Sequence, residues 1–328
     1  MSVRHDDTHG YVFVNNYQRR LTMDDHKDVV LKGKTKGEPV RFPKTDIASG
    51  EYAFYPYNMK IGNAILVSAL ATPLCKLSCK DEDVYVFYGD KDPQFTWDGT
   101  PAKVLHLSRE DALSAARVTL KDHQEYLVLS DDFVWEESGA LHVVGGEETI
   151  IRTFPKLSND VLPADFKEIA GEGELTVYKR SQAKNSANVQ TSVSFVQSTK
   201  TPEELSGKLV NSCGQSETLK GDEKIYEISV QYAKENREGR KEGYDCILSF
   251  DYACESMELY VNGRKVNDYF YTGQKALFSL GYFDFPTEIT AVLHPLHEGD
   301  HIYLQEWPKM DDKKACRIEA VTLTEQFS

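Results

Sequence analysis

The chain has little tryptophan, no long apolar run and no excess of basic charge. Its 328 residues include 38 basic and 52 acidic side chains, giving a net charge of −14. Nucleic acids and anionic membranes require a basic surface, which this balance does not provide. The longest apolar run, Ala64–Ala71, is far shorter than the roughly 18 residues that a membrane-spanning helix needs. We therefore expect neither nucleic acid nor a membrane as partner, whereas neutral ligands such as sugars and protein surfaces remain open.

Motifs for metals, phosphates and nucleophilic catalysis are also lacking. The six cysteines form no Cys-x-x-Cys pair, and the nine histidines are not spaced as their partners in a zinc site. Cys75 and Cys79 lie about 13 Å apart along an expected strand, too far for a disulfide. The acidic segments 81–83 and 90–92 do not match a calcium loop. No phosphate-binding glycine loop or Gly-x-Ser-x-Gly elbow occurs. We expect buried free thiols, no metal and no cofactor.

Short apolar runs separated by turn residues fill most of the chain. Aromatic residues make up 11%, with 18 Tyr and 15 Phe, a composition that suits half-buried strands. This pattern predicts an all-β protein built from antiparallel β-sandwiches, not the alternating strands and helices of an α/β fold. The expected strands are 11–17, 28–31, 39–42, 51–57, 64–71, 84–88, 125–129, 133–136, 141–144, 149–154, two within 166–180, 225–232, 246–252, 257–261, 277–280, 289–293, 302–304 and 317–324.

Three local signals refine this prediction. Ser108 can cap a short helix that runs to about Val118, with an acidic residue three positions after the cap. Asn262 and Gly263 are typical of a tight hairpin turn in which both residues take positive φ angles. Trp135 alternates with its neighbours within a strand, which favours a place in the core.

The chain is long enough for two sandwich domains, or for three if a further boundary lies near residue 80. We place the first domain at 1–155 and the second, a galactose-binding-like jelly roll, at 160–328. The small polar segment 181–188 and the charged segment 234–243 are expected to be loops.

Three segments resemble the regions that follow the catalytic barrel in family-35 glycoside hydrolases, the β-galactosidase group. The first is Tyr11–Arg19 (YVFVNNYQR), similar to the strand just after the barrel. The second is Ile47–Asn58 (IASGEYAFYPYN), followed by Ala69–Cys75 (ALATPLC). The third is Leu259–Gly273 (LYVNGRKVNDYFYTG), which resembles a terminal jelly-roll module. The resemblance implies that the chain is the non-catalytic C-terminal accessory region of a β-galactosidase-like glycosidase.

The catalytic machinery of that family cannot be carried over to this chain. The family uses two glutamates on a barrel of about 250 residues with alternating strands and helices, a pattern that is absent here. The chain has no Asn-Glu dipeptide to receive the acid/base motif, so no catalytic residue is assigned. The resemblance implies a catalytic barrel domain of the parent enzyme as partner, and periplasmic or extracellular localisation for that parent. The alternatives are an independent carbohydrate-binding protein and a structural or assembly β-sandwich module.

Candidate carbohydrate-binding residues are aromatic side chains near turns together with polar neighbours. Trp97, at the mouth of a turn, is the first candidate platform for stacking on a sugar ring. Asn262, Arg264, Asp268 and Tyr271 form a candidate rim around the second hairpin, for a galactose-containing carbohydrate. Packing within the sheets is the alternative role for each of them.

Overall fold

The computed structural model describes residues 1–19, 21–80, 82–146, 148–181, 191–232, 244–304 and 307–327. The expected loop 234–243 lies outside these ranges, as does the expected loop 181–188 except for its first residue. The described part is all-β, with mostly antiparallel sheets and two short α-helices, so the predicted fold class is confirmed. The chain divides into unit 1, Met1–Val143 with Glu148–Ser181, and unit 2, Val144–Glu147 with Gln182–Ser328.

Unit 1 contains the first seventeen strands of the described chain and helix α1. Its elements are β1 (Ser2–His5), β2 (Gly10–Asn15), β3 (His26–Gly33), β4 (Val40–Ile47), β5 (Tyr52–Ile61), β6 (Ala64–Ser68), β7 (Thr72–Ser78), β8 (Asp83–Tyr88), β9 (Thr96–Asp98), β10 (Lys103–Leu107), α1 (Arg109–Leu113), β11 (Ala115–Thr119), β12 (Glu125–Leu129), β13 (Phe133–Glu137), β14 (Ala140–Val144), β15 (Glu148–Phe154), β16 (Lys167–Glu172) and β17 (Leu175–Ser181). The sheet orders are β1-β2-β5-β6-β9, β10-β8-β7 and β11-β12-β15-β17-β16, with the pairs β3-β4 and β13-β14. Residues 160–181, which the sequence analysis places in the second domain, lie in unit 1 because β17 pairs along β15.

The three-stranded sheet of unit 1 is a middle layer with apolar side chains on both faces. In β8, Val84 and Val86 pack on one side into a cluster with Leu129 of the β11–β17 sheet. Phe87 packs on the other side into a cluster with Leu66 of β6. Successive side chains of a strand point to opposite faces, so a nearly continuous apolar strand such as β8 suits a layer that is covered on both sides.

Unit 2 is a β-sandwich with one core between two sheets. Its elements are β18 (Ser192–Gln197), α2 (Pro202–Leu205), β19 (Lys224–Gln231), β20 (Tyr244–Ala253), β21 (Ser256–Val261), β22 (Arg264–Phe270), β23 (Ala276–Ser279), a 3-10 turn (Gly281–Phe283), β24 (Glu288–His294), β25 (Leu296–His297), β26 (Lys314–Ala315) and β27 (Arg317–Phe327). The sheets have the orders β18-β19-β24-β21-β22 and β23-β20-β27. Leu259 and Leu293 from the first sheet meet Leu248, Phe250 and Phe278 from the second in a fully buried cluster.

Helix α1 is shorter than the sequence pattern predicts. The cap is as expected, since the Ser108 hydroxyl accepts a hydrogen bond from Asp111 N at 3.0 Å. The helix nevertheless ends at Leu113, and Ala115–Thr119 forms β11, paired with β12. That pairing buries Val118, whereas Leu113 stays 82% exposed. Cross-strand pairing therefore outweighs the weak local helix signal, and the predicted extension to Val118 is wrong.

Candidate functional site

Trp97 lies in β9, at the edge of the β1–β9 sheet, and is half-buried. It pairs with Leu66 of β6, and its ring packs near Phe95, with 6.4 Å between ring centroids. Both rings belong to the apolar cluster around buried Leu66. This location supports a packing role for Trp97.

Asn262 and Arg264 lie at the turn end of the β21–β22 hairpin. Asn262 has φ 52° and Gly263 has φ 76°, and Val261 pairs with Arg264, so the predicted tight turn is confirmed. Arg264 Nη2 donates to Ser212 O at 3.0 Å, and Val210 N donates to Gly263 O at 2.9 Å. Arg264 therefore helps to hold a neighbouring loop on the hairpin.

Asp268 and Tyr271 lie towards the other end of β22. Asp268 is exposed and pairs with Glu258. Tyr271 follows the strand, and its ring meets that of Tyr252 edge-on at 5.8 Å. At about 3.3 Å per residue, Tyr271 is roughly 23 Å along the strand from Arg264. The structure thus spreads the four hairpin candidates along β22 and does not gather them at one point.

A cleft of about 350 Å³ in unit 1 is a better-formed candidate site. Four parts of the chain line it: 48–53 with Tyr55, Leu70 with Thr72, 88–91, and Arg109. Its volume lies within the range of small-ligand pockets. The first lining segment belongs to the IASGEYAFYPYN stretch that carries the second resemblance, which is the signal that could have directed attention here.

The floor of this cleft is an ion pair with a buried tyrosine. Lys91 Nζ donates to Glu51 Oε1 at 2.5 Å and also to Asp46 O. Glu51 Oε2 accepts from Ala48 N at 2.9 Å, and Tyr55 OH lies 3.5 Å from Glu51 Oε1. Burial, followed by the charge of Glu51, raises the pKa of Tyr55 to about 12. Tyr55 therefore remains a hydrogen-bond donor at neutral pH.

The mouth of the cleft carries an exposed aromatic ring and further charges. Tyr52 is 54% exposed, and the Arg109 guanidinium lies 4.2 Å from its ring centroid, a cation–π contact. Arg109 N donates to Asp90 Oδ1 at 2.9 Å, which ties the start of α1 to the 88–91 segment. The cleft thus offers an aromatic surface, hydrogen-bond donors and carboxylate acceptors within one small volume.

A second polar cluster lies in unit 2, on the face of the β18–β22 sheet that points away from the core. We call it the Glu258 network; its members are Glu217, Glu223, Glu258, Tyr260, Lys265 and His294. Glu258 accepts from Tyr260 OH at 2.5 Å and from Lys265 Nζ at 3.0 Å. His294 has Nε2 3.6 Å from Glu258 and Nδ1 3.6 Å from Glu223.

The Glu258 network contains charged groups that are paired with one another and with the backbone of the 217–223 segment. Burial alone would raise the pKa of Glu258, but His294, Tyr260 and Lys265 outweigh it and lower the pKa to about 2. The Glu258 carboxylate raises the pKa of His294 against the opposing effect of burial. Lys220 N and Gly221 N each donate to Glu223 at 2.8 Å. The network therefore fastens the 217–223 segment to β21, β22 and β24, a structural role.

The described ranges contain neither a metal-binding cluster nor a membrane-spanning helix. No group of three His, Cys, Asp or Glu there is arranged to hold a metal, and no helix there is both long and apolar enough to cross a bilayer. All six cysteines are free, as predicted, but Cys213 is exposed and Cys75 and Cys79 are half-buried, so burial holds only for the other three. A scan against models of protein families finds no match for this chain, and a search of curated proteins finds no significant match.

Proposed function

We propose that this chain is the non-catalytic accessory region of a β-galactosidase-like glycosidase. It packs against the catalytic barrel of the parent enzyme and contacts galactose-containing carbohydrate. The proposal is supported by the three resembling segments. The single observation that carries it is the cleft of about 350 Å³ with Tyr52 at its mouth, which we call the Tyr52 cleft. That cleft is lined by one of the resembling segments and has the size and chemistry that a sugar requires.

A sugar ring has an apolar C–H face and an edge of hydroxyl groups. The Tyr52 ring is 54% exposed although Arg109 lies over it, and its exposed part offers an aromatic surface for the C–H face. The Lys91–Glu51 pair, Asp90 and Arg109 supply donors and acceptors for the hydroxyls. Aromatic contact with a few placed polar groups is the usual composition of a small-ligand site.

The proposal gives these polar groups a binding role. Glu51 is engaged by Lys91 Nζ and Ala48 N, and it lies close to Tyr55 OH. A retaining glycosidase needs two free carboxyl groups about 5 Å apart on either side of the bond that is cleaved. Glu51, fixed in this way, serves as a hydrogen-bond acceptor in the floor of the cleft.

The binding step is tested by calorimetric titration with galactose and galactose-containing oligosaccharides. We expect saturable binding that Tyr52→Ala weakens about tenfold or more, as expected when a central aromatic contact is lost. Tyr303→Ala is the matched control, because Tyr303 is 90% exposed and outside the cleft. Equal affinities of the Tyr52→Ala variant and the unsubstituted protein would contradict the cleft assignment. A folded protein that binds no sugar would favour the alternative of a structural module.

The non-catalytic part is tested with a nitrophenyl galactoside. We expect no turnover beyond that of a mock purification, and turnover that survives this control would contradict the proposal. The coding sequence upstream of Met1 separates the remaining alternatives. An in-frame barrel with two spaced glutamates is expected, and its absence would favour an independent carbohydrate-binding protein.

A further inference from the structure

The outward side of the β1–β9 sheet carries a row of aromatic side chains. Along β2 and β5, Val12, Val14, Tyr55 and Tyr57 point inward and are buried in one apolar cluster. Since strand side chains alternate, the residues between them point to the other face. We name this surface the Tyr11 face; its members are Tyr11, Phe13, Phe54, Ile65 and Val67.

The aromatic members of the Tyr11 face are packed against one another and remain half-buried. Phe13 and Phe54 are directly opposite in the β2–β5 pairing, and their rings stack with 5.7 Å between centroids. Tyr11 meets Phe54 edge-on at 5.7 Å. Such contacts fix the ring orientations before any ligand arrives. The face is therefore a preformed apolar surface.

A groove of about 920 Å³ begins at the Tyr11 end of this face. Ile65, which is 40% exposed, and Val67 contribute apolar surface. The polar lining consists of Thr8, His9, Asn58, Lys60, Asn63 and Asp98. From Phe54 to Lys60 the strand covers about 20 Å at roughly 3.3 Å per residue. A ligand of several linked rings can therefore lie along β5.

One wall of the groove is held rigidly by the turn between β1 and β2. Asp6 Oδ1 accepts from Thr8 N, Thr8 Oγ1 and His9 N at 2.9–3.1 Å. The backbone N–H groups of His9 and Thr8 lower the pKa of Asp6 to about 2, so the turn keeps its charge. Asn58 Nδ2 donates to Thr8 O at 3.0 Å, which fixes the Asn58 amide in the groove. The polar lining is thus positioned in advance as well.

The charges of the groove match a neutral polar ligand. Its lining includes one lysine, Lys60, one aspartate, Asp98, and the amides of Asn58 and Asn63. A strongly acidic ligand would be repelled by Asp98, and a strongly basic one by Lys60. A chain of neutral sugar rings offers apolar faces to the aromatic row and hydroxyls to the amides and charges.

We propose that the Tyr11 face and its groove bind a neutral oligosaccharide chain that lies along β5, as a site separate from the Tyr52 cleft. The class of ligand rests on the proposed function, but the site does not share residues with the cleft.

The test compares oligosaccharides of increasing length on four variants of the full chain by calorimetry. We expect the affinity to rise with the length of the oligosaccharide, both for the unsubstituted protein and for Tyr52→Ala. Tyr11→Ala and, independently, Ile65→Asp should weaken the longest ligand about tenfold or more. Tyr17→Ala is the matched control, since Tyr17 is 41% exposed but lies beyond the end of β2. Thermal unfolding of each variant confirms that it is folded.

The outcomes separate this inference from the proposed function. A loss of binding in Tyr52→Ala alone, with Tyr11→Ala and Ile65→Asp unchanged, would overturn the Tyr11 face and leave the cleft intact. Losses in the two face variants alone would support the inference and contradict the cleft assignment. A folded chain that binds no oligosaccharide of any length would overturn the inference, leaving the face to a protein partner.

Discussion

Replacing His294 by glutamine tests whether the Glu258 network stabilises unit 2 through charge. His294 ends β24 and lies between two carboxylates, 3.6 Å from Glu258 and 3.6 Å from Glu223. Glutamine keeps a polar side chain of similar length but cannot be protonated to a cation. The substitution therefore removes the cation and leaves the two carboxylates in place.

The expected loss follows from the distances and the partial burial. Two unit charges about 3.6 Å apart attract by roughly 4–5 kcal/mol at an effective dielectric constant near 20. Most of that is offset by the cost of removing the charges from water, and His294 is still 23% exposed at its side chain. We expect His294→Gln to lower the free energy of local unfolding of β21 and β24 by ~1–2 kcal/mol.

The pH dependence gives the sharper test. The pKa of His294 is raised in the folded protein above its ordinary value of 6.5, chiefly by Glu258, while burial and Lys220 oppose the shift. A raised pKa contributes stability that is fully present below the unfolded value and disappears as the pH rises through the folded value. His294→Gln should therefore destabilise more at about pH 5.5 than at about pH 8.5.

Hydrogen exchange of β24 and β21 peptides measures this locally. Each variant is compared with the unsubstituted protein at the same pH, so the pH dependence of the intrinsic exchange rate cancels from the comparison. His301→Gln is the control, because His301 is an exposed histidine of the same unit. An equal or larger loss at the higher pH would refute the charge-based account and leave only a packing role for the ring.

Two further predictions concern the frame of unit 2. Phe278→Ala should lower the free energy of unfolding by about 3–5 kcal/mol in denaturant titration, because Phe278 is fully buried and stacks on Phe283 at 4.7 Å. Leu277→Ala, at the exposed neighbouring residue, is the control and should change that free energy by less than about 0.5 kcal/mol. Equal effects of the two substitutions would mean that the core is placed wrongly. Gly263→Ala should lower the melting temperature more than Gly273→Ala. Both glycines have positive φ, but only at Gly263 would the added Cβ meet a backbone atom, Lys208 O at 3.3 Å. A larger decrease for Gly273→Ala would contradict this hairpin geometry.

The fold class could be predicted from the sequence because its signals are local. Alternating apolar residues and turn residues identify strands one at a time, and Asn262–Gly263 specifies its own backbone conformation. The predicted extension of the helix beyond Leu113 is wrong because residues 115–119 pair with β12, which comes later in the chain. Trp135 shows the same limit. Alternation gives the period but not which face is covered, and Trp135 is 40% exposed, stacked on His142 at 5.1 Å.

The candidate sites depend even more on distant parts of the chain. A search for scarce residue types selects Trp97, which the structure places against Phe95 and Leu66. The Tyr52 cleft instead combines segments whose residues are up to 61 positions apart in the sequence, from Ala48 to Arg109. Each segment alone has the pattern of an ordinary turn or strand end. Sheet order brings them together, and neither composition nor local pattern specifies that order.

Strand β5 links the two candidate surfaces of unit 1. Tyr52, its first residue, is at the cleft, Phe54 is in the aromatic row, and Asn58 and Lys60 line the groove. Sites that lie about 20 Å apart on one rigid strand can be occupied by the same chain, and the second contact then forms at a high effective concentration. If both proposals hold, Tyr52→Ala should weaken short sugars more than long ones, because a long chain keeps its contacts with the Tyr11 face. Equal weakening at every length would mean that a long chain keeps no contact with the Tyr11 face when the cleft contact is lost, and would contradict the shared occupation of β5.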